Sequence, residues 1–116
     1  MNNKHFHFFV IVVLGHPLVY PPVEYVKFGE STTLNCNATG VPGRNITWKR
    51  KAEQHELQII NNNDNKYEII FSGSGTSQLM VKDISVGDHG YYVCDTSVIV
   101  GQLSLARGFL GVKCKL

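Results

Sequence analysis

Few side chains in this sequence have the type and spacing that catalysis requires. Beyond the first fifteen residues the histidines are His16, His55 and His89, and none lies near a Gly-x-Ser-x-Gly motif or a second histidine at zinc-ligand spacing. The asparagine-rich run 61–65 has Asp64 as its single carboxylate, whereas calcium loops recruit several. Such a run favours a turn. We therefore expect no enzymatic activity, no metal and no cofactor.

Length and charge narrow the class of protein further. The chain has 116 residues, enough for one domain with a single core, and a formal net charge of +2. Its basic residues are scattered apart from the run 49–51, where strand alternation sends Lys49 and Lys51 to solvent. Nucleic-acid binding needs a contiguous basic face. We therefore expect no nucleic-acid partner.

Four residues fall in a characteristic order along the chain. Trp48 follows Cys36 by twelve residues, Cys94 lies about sixty residues after Cys36, and Tyr92 precedes Cys94 by two. Together with the run 88–94, this order resembles the immunoglobulin superfamily, the I-set most of all, with the V-set as the alternative. The resemblance extends from residue 21 to 112. It implies an all-β, immunoglobulin-like Greek-key sandwich of two antiparallel sheets.

The resemblance also implies a role for each of these residues. Cys36 and Cys94 would form one disulfide between the sheets, and the indole of Trp48 would pack on it. Tyr92 would supply the hydroxyl of a tyrosine corner, which reaches back to the backbone before its strand. Such a pairing points to a protein that folds outside the cytosol.

The run before Tyr92 carries one further implied contact. In similar domains the carboxylate at Asp88 forms a structural ion pair with a basic residue near the start of another strand, here Lys66. His89 is then an exposed turn residue. Val98 replaces an asparagine common in the family, and the segment after Cys94 is one residue longer than usual, so a β-bulge is one arrangement open to the last strand.

Apolar and polar residues alternate in a way that predicts the strands. The first strand lies within 17–28, and Pro21-Pro22 inside it marks either a sheet edge or a kink where the chain switches sheets. The remaining strands are expected at 31–38, 46–51, 57–60, 67–71, 78–81, 90–99 and 103–112.

Two sequons for N-linked glycosylation lie on outward-facing positions. Asn37-Ala38-Thr39 and Asn45-Ile46-Thr47 both satisfy Asn-x-Thr. Because Cys36 and Trp48 face inward, alternation turns Asn37 and Asn45 to solvent. Glycans there would crowd one end of the sandwich and leave the binding face elsewhere.

The outer face of the sheet that contains Cys94 is the candidate binding face. Tyr91 and Val93 alternate with the inward Tyr92 and Cys94, and Ile99-Val100 forms an apolar tip beyond them. The alternative is that these are ordinary scattered apolar residues of a protein surface.

The N-terminus predicts secretion. Lys4 precedes the apolar run 8–14, which has the length of a signal peptide and is too short to span a bilayer. We expect residues 1–15 to be the signal peptide and 16–116 to be the domain. The alternative is that the run is a β-strand of the mature domain. No transmembrane segment is visible in the sequence.

These features together predict an extracellular protein-recognition module, either secreted or on the cell surface, with a protein partner. The alternative is a structural spacer in a tandem array, without a ligand of its own. Cys114, flanked by Lys113 and Lys115, is left without a partner and is a candidate for a disulfide-linked dimer. It would otherwise be an inert thiol or pair with a following domain.

Overall fold

Nine strands make up nearly all of the regular structure in the residues that the computed structural model describes. The structure describes residues 17–38, 40–41, 45–51, 57–61, 65–72, 75–96 and 105–113. The strands are β1 Pro17–Tyr20, β2 Val23–Lys27, β3 Thr32–Ala38, β4 Thr47–Lys51, β5 Gln58–Ile59, β6 Tyr67–Ser72, β7 Thr76–Val81, β8 Gly90–Asp95 and β9 Leu105–Lys113. A 3₁₀ turn at Val86–Asp88 leads into β8.

The strands form two sheets that pack face to face. One sheet has the order β1-β3-β7-β6 and the other the order β2-β9-β8-β4-β5. Neighbouring strands are antiparallel, except that β2 runs parallel to β9. The predicted all-β sandwich is confirmed, and the parallel pair at one edge is a detail that the sequence pattern did not indicate.

The first predicted strand is two strands in two different sheets. Up to Tyr20 the chain pairs with β3, and from Val23 it pairs with β9. The switch takes place at Pro21-Pro22, where the Tyr20–Pro21 peptide bond is cis and the carbonyl of Pro22 accepts a hydrogen bond from the amide of Phe109 at 2.9 Å. Of the two predicted arrangements, the switch between sheets is correct, and it places β2 beside β9.

The core fills the space between the sheets. Cys36 on β3 and Cys94 on β8 form the predicted inter-sheet disulfide, with their Cα atoms 6.3 Å apart. Trp48 is fully buried, and its indole N–H donates to the hydroxyl of Ser77 at 2.9 Å. Buried polar groups need such partners. The side chains packed around them include Leu34, Leu79, Val81, Ile84, Tyr92 and Leu110.

Strands β8 and β9 pair without interruption over the residues that the structure describes. The register runs from Gly90 opposite Leu110 to Asp95 opposite Leu105, so the described part of this hairpin contains no β-bulge. Gly108 is needed where β1 crosses over β9, because a Cβ at this position would lie 2.7 Å from Cγ1 of Val19. This regular register sets which residues meet on the outer face.

Candidate functional site

The turn before β8 contains a buried carboxylate, that of Asp88. The hydroxyl of Tyr92 donates to the backbone carbonyl of Asp88 at 2.7 Å. The carboxylate of Asp88 forms an ion pair with Lys66 Nζ at 2.5 Å and accepts a hydrogen bond from the amide of Ser85 at 2.7 Å. The structure thus brings together Tyr92, Asp88 and Lys66, the residues of the predicted corner and ion pair.

Arg50 closes the same turn from β4. Its guanidinium donates to the backbone carbonyls of Gly87 and His89, and it lies 5.7 Å from the centre of the Tyr92 ring. Burial raises the pKa of the Tyr92 phenol well above its ordinary value, and the charge of Arg50 opposes that rise. These contacts hold the polypeptide turn in place, and they engage Asp88 in structure rather than in acid–base chemistry.

The outer face of the five-stranded sheet has a different character. Tyr91 on β8 lies opposite Phe109 on β9, and Phe109 in turn lies beside Val23 on β2. Two residues further along β2, Tyr25 lies beside Gly111, whose missing side chain leaves room for the tyrosine ring. A Cβ on Gly111 would lie 2.5 Å from that ring. Three separate strands therefore bring aromatic side chains to one place.

These side chains form a cluster that we call the aromatic patch: Tyr25, His89, Tyr91 and Phe109. Phe109 is its centre, with edge-on ring contacts to His89 at 5.1 Å, Tyr91 at 5.2 Å and Tyr25 at 6.3 Å between centroids. The guanidinium of Arg107 lies 5.1 Å from the centre of the Tyr91 ring. Tyr25 remains 59% exposed and Tyr91 42% exposed, so the patch presents much of its aromatic surface to solvent.

A groove of about 430 Å³ lies next to the aromatic patch, and we call it the outer groove. Its lining combines apolar residues with two cations, and comprises Lys51, Leu57, Tyr91, Val93, Leu105, Ala106 and Arg107.

Val93, which strand alternation assigns to the candidate binding face, is only 6% exposed. It does face outward, but Lys49 and Arg107 lie directly opposite it on the two neighbouring strands. The aliphatic stems of long cationic side chains can cover an apolar neighbour while their charged ends stay in water. Val93 therefore contributes to the floor of the outer groove.

The two sequon asparagines lie away from the aromatic patch. Asn37 is exposed on β3, in the other sheet, where it pairs with Leu18 and Thr76. Asn45 is exposed just before β4 begins. Of the remaining predicted site residues, Ile99, Val100 and Cys114 lie outside the described residues, as does the predicted signal peptide 1–15.

Sequence reasoning did not find Tyr25, Phe109, Arg107 or Leu57 as members of this face. The pairing of Tyr91 with Phe109 depends on the exact register of β8 and β9, which the sequence left open. The position of Tyr25 depends on the switch of the first strand into the second sheet. The usable signal was the alternation of Arg107 and Phe109 along β9, which places both on one face.

The described residues contain neither a membrane-spanning helix nor a cluster of metal ligands. Within the described ranges, no helix has the length and apolar character to cross a membrane. The same part of the chain contains no group of three or more His, Cys, Asp or Glu side chains placed to hold a metal ion.

The sandwich, its disulfide and the tyrosine contact before β8 can now be compared with known families. The profile of the family described as "Immunoglobulin domain" matches residues 18–97 of the chain. This chain belongs to the immunoglobulin domain family. The match includes β1 to β8, and thus both cysteines of the inter-sheet disulfide.

Relatives of this immunoglobulin domain are much longer proteins. It is 32% identical to Roundabout homolog 1 of Rattus norvegicus over 97 residues, which cover 84% of this chain and 6% of that protein. It is 38% identical to hemicentin-2 of Mus musculus over 79 residues, which cover 68% of this chain and 1% of that protein. Neural cell adhesion molecule 1 of Bos taurus is 38% identical over 68 residues, 59% of this chain and 7% of that protein.

A solved structure gives the same fold. The domain superimposes with a TM-score of 0.66 on a chain from a structure described as "Structural basis of T cell specificity and activation by the bacterial superantigen toxic shock syndrome toxin-1". The alignment covers 84% of this chain and 98% of that chain at 19% identity. At that identity the likeness shows the immunoglobulin fold alone.

Proposed function

We propose that this immunoglobulin domain is an extracellular protein-recognition module that binds a protein partner through the aromatic patch. The observation that carries the proposal is the exposure of Tyr25 and Tyr91 around Phe109 on a regular sheet. Tyrosine and arginine are enriched at the centres of protein interfaces, because rigid aromatic rings bury much area at little cost in conformational entropy. Tyr25 and Tyr91 are not part of the core of this domain.

The relatives support a role in recognition at the cell surface. One of them is by name a neural cell adhesion molecule. The disulfide between Cys36 and Cys94 agrees with folding in the secretory pathway, where disulfides persist. Secretion directed by residues 1–15 remains part of the proposal.

Glycosylation at Asn37 and Asn45 would fit this use of the surface. Asn37 lies in the sheet opposite the aromatic patch, and Asn45 precedes β4 at one end of the sandwich. Glycans at these positions would leave the outer face of the five-stranded sheet accessible. Expression through a eukaryotic secretory route should give a product that loses mass on deglycosylation, and the double variant Asn37→Gln, Asn45→Gln should abolish that shift.

Binding is a better use of these residues than catalysis. The only described histidine, His89, places its ring edge-on against Phe109. Asp88 is engaged by Lys66 and by the amide of Ser85. Neither arrangement pairs a base with a nucleophile in the way that hydrolases require.

A matched pair of tyrosines tests the proposal. Tyr25 lies in the aromatic patch, and Tyr20 lies in the other sheet with a similar exposed fraction, 64% against 59%. The glycosylated chain, displayed as a multimer, would be assayed against an array of extracellular proteins, and each interaction measured again with Tyr25→Ser and Tyr20→Ser. We expect Tyr25→Ser to weaken the interaction about tenfold and Tyr20→Ser to change it less than about twofold. Equal effects of the two substitutions would contradict the proposal.

The spacer role is the second candidate. The observation that favours it is that the chain spans 6% of Roundabout homolog 1 and 1% of hemicentin-2, so a domain of this kind is a small part of a long protein. A spacer has no ligand of its own. In that case Tyr25→Ser, placed in the longer protein, should leave its binding to partners unchanged.

Cys114 remains a proposed site of covalent dimerisation. The lysines on both sides of it favour the thiolate and thus disulfide exchange. A dimer on non-reducing gels that is lost in Cys114→Ser would support this role, and a monomer whose thiol does not react with a maleimide would exclude it.

A further inference from the structure

Positive charge is concentrated on the outer face of the five-stranded sheet. Val26, Trp48 and Leu110 are buried, so their side chains point into the core. Because side chains alternate along a strand, the residues next to them on β2, β4 and β9 point outward. Among the described residues, the cations at these positions are Lys27, Lys49, Lys51, Arg107 and Lys113. Asp95 on β8 is the carboxylate at the outward positions of these described strands, and it already pairs with Lys49 at 2.8 Å.

The opposite sheet lacks this excess. Its outward positions hold mainly uncharged side chains, both polar and apolar, as where the amide of Gln78 donates to Asn35 at 2.9 Å. Its described charged pair is Lys82 with Glu68, at 3.2 Å, and these two charges cancel. The formal net charge of the chain is only +2, so the positive face reflects the distribution of charge rather than its total.

The outer groove lies within this positive face. Lys51 on β4 and Arg107 on β9 line it on either side of β8, while Leu57, Val93 and Leu105 supply apolar parts of its lining. Its volume of about 430 Å³ falls within the range of ligand pockets, about 300–1,000 Å³. It is large enough to accept one or two side chains of a partner.

We infer that the outer groove binds an acidic segment of a protein partner, with an aliphatic or aromatic side chain in the groove and a carboxylate at Arg107. This inference rests on the proposed recognition function and names its ligand chemistry. Charge complementarity selects the acidic residues, because a guanidinium and a carboxylate form strong charge-assisted hydrogen bonds. The apolar floor selects a polypeptide over a sulfated polysaccharide, which would use the cations and leave the floor in contact with water.

Defined probes can test this inference with the full chain. The first probe is a fluorescent peptide in which one leucine is flanked on both sides by glutamates, and the second replaces that leucine with serine. The third is dextran sulfate, a polyanion without an apolar anchor. Fluorescence anisotropy should show saturable binding of the first peptide that weakens as salt is raised, and about fivefold or greater weakening for the serine peptide.

Two variants and a matched control place the peptide in the outer groove. Arg107→Glu should weaken binding of the leucine peptide about tenfold or more, and Leu57→Ser about threefold. Lys82→Glu changes the net charge by the same amount on the opposite sheet and should change binding less than about twofold. Thermal unfolding of each variant would show that the domain remains folded.

Three results would overturn the inference. One is the absence of binding to the leucine peptide. Another is that the leucine peptide, the serine peptide and dextran sulfate bind with equal affinity, which would make the face a general polyanion surface. The third is equal weakening by Lys82→Glu and Arg107→Glu, which would reduce the effect to net charge. None of these results would affect the comparison of Tyr25→Ser with Tyr20→Ser, so the recognition function would stand or fall separately.

Discussion

Two adjacent tyrosines on β8 face opposite sides of the same strand, one toward the core and one toward the proposed binding surface. Tyr92 is completely buried, with its hydroxyl bonded to the carbonyl of Asp88 and the guanidinium of Arg50 near its ring. Tyr91 is 42% exposed, with Phe109 and the guanidinium of Arg107 beside its ring. The same pair of residue types, Tyr and Arg, occurs on both faces. Strand alternation turns one pair toward the core and the other toward solvent.

The comparison implies that substitutions on the inward face should cost stability and those on the outward face should cost binding. The largest effect is expected at Trp48, which is fully buried and donates to Ser77. Trp48→Ala should lower the free energy of unfolding by about 3–5 kcal/mol, since it leaves a cavity in the core. Urea unfolding followed by circular dichroism measures this loss. A loss below about 1 kcal/mol would show that the inward face is less tightly packed than the structure indicates.

The next effect concerns the buried carboxylate of Asp88. Asp88→Ala removes its ion pair with Lys66 and its bond from the amide of Ser85, and should cost about 2–3 kcal/mol. Glu68→Ala is the control, because its ion pair with Lys82 is well exposed, and should cost less than about 1 kcal/mol. Similar losses in chemical denaturation would contradict the difference between buried and exposed pairs.

Alkaline pH should reveal the burial of Tyr92. Burial raises the pKa of Tyr92 in the folded state, so between the ordinary tyrosine pKa of about 10 and that raised value only the unfolded state ionises. The contribution of Tyr92 to stability is therefore complete below about pH 10 and is lost as pH rises above it, by about 1.4 kcal/mol at about pH 11. The measurement is the difference in unfolding free energy between the wild type and Tyr92→Phe across this range. If the difference in unfolding free energy stayed constant with pH, the predicted contribution of Tyr92 would be contradicted.

The smallest effect compares the two hydroxyls directly. Tyr92→Phe removes the bond to the carbonyl of Asp88 and should cost about 1 kcal/mol near neutral pH. Tyr91→Phe, on the exposed side of the same strand, should change stability by less than about 0.5 kcal/mol. Thermal unfolding of the two variants side by side provides the test. A larger loss for Tyr91→Phe would reverse the assignment of the two faces.

The fold was largely predictable because its markers are local. Cys36, Trp48 and Cys94 fall at spacings that a sandwich of this family requires, and alternation from them places Asn37 and Asn45 outward. The position of Val93 shows the limit of this reasoning. Alternation assigned its direction correctly, but its burial depends on Lys49 and Arg107, which reach it from neighbouring strands.

The sequence by itself determined the class of fold and the disulfide pair, through its resemblance to a known family, and the direction in which strand residues point, through a period of two. Only the tertiary structure decided which side chains meet. The indole of Trp48 donates to Ser77, and Tyr25 meets Phe109 in the aromatic patch. In both pairs the two residues lie on strands that are far apart in sequence. Their contacts depend on the register of β8 with β9 and on the switch of the chain at Pro21-Pro22. Register is a property of the pairing between strands, so neither strand alone encodes it.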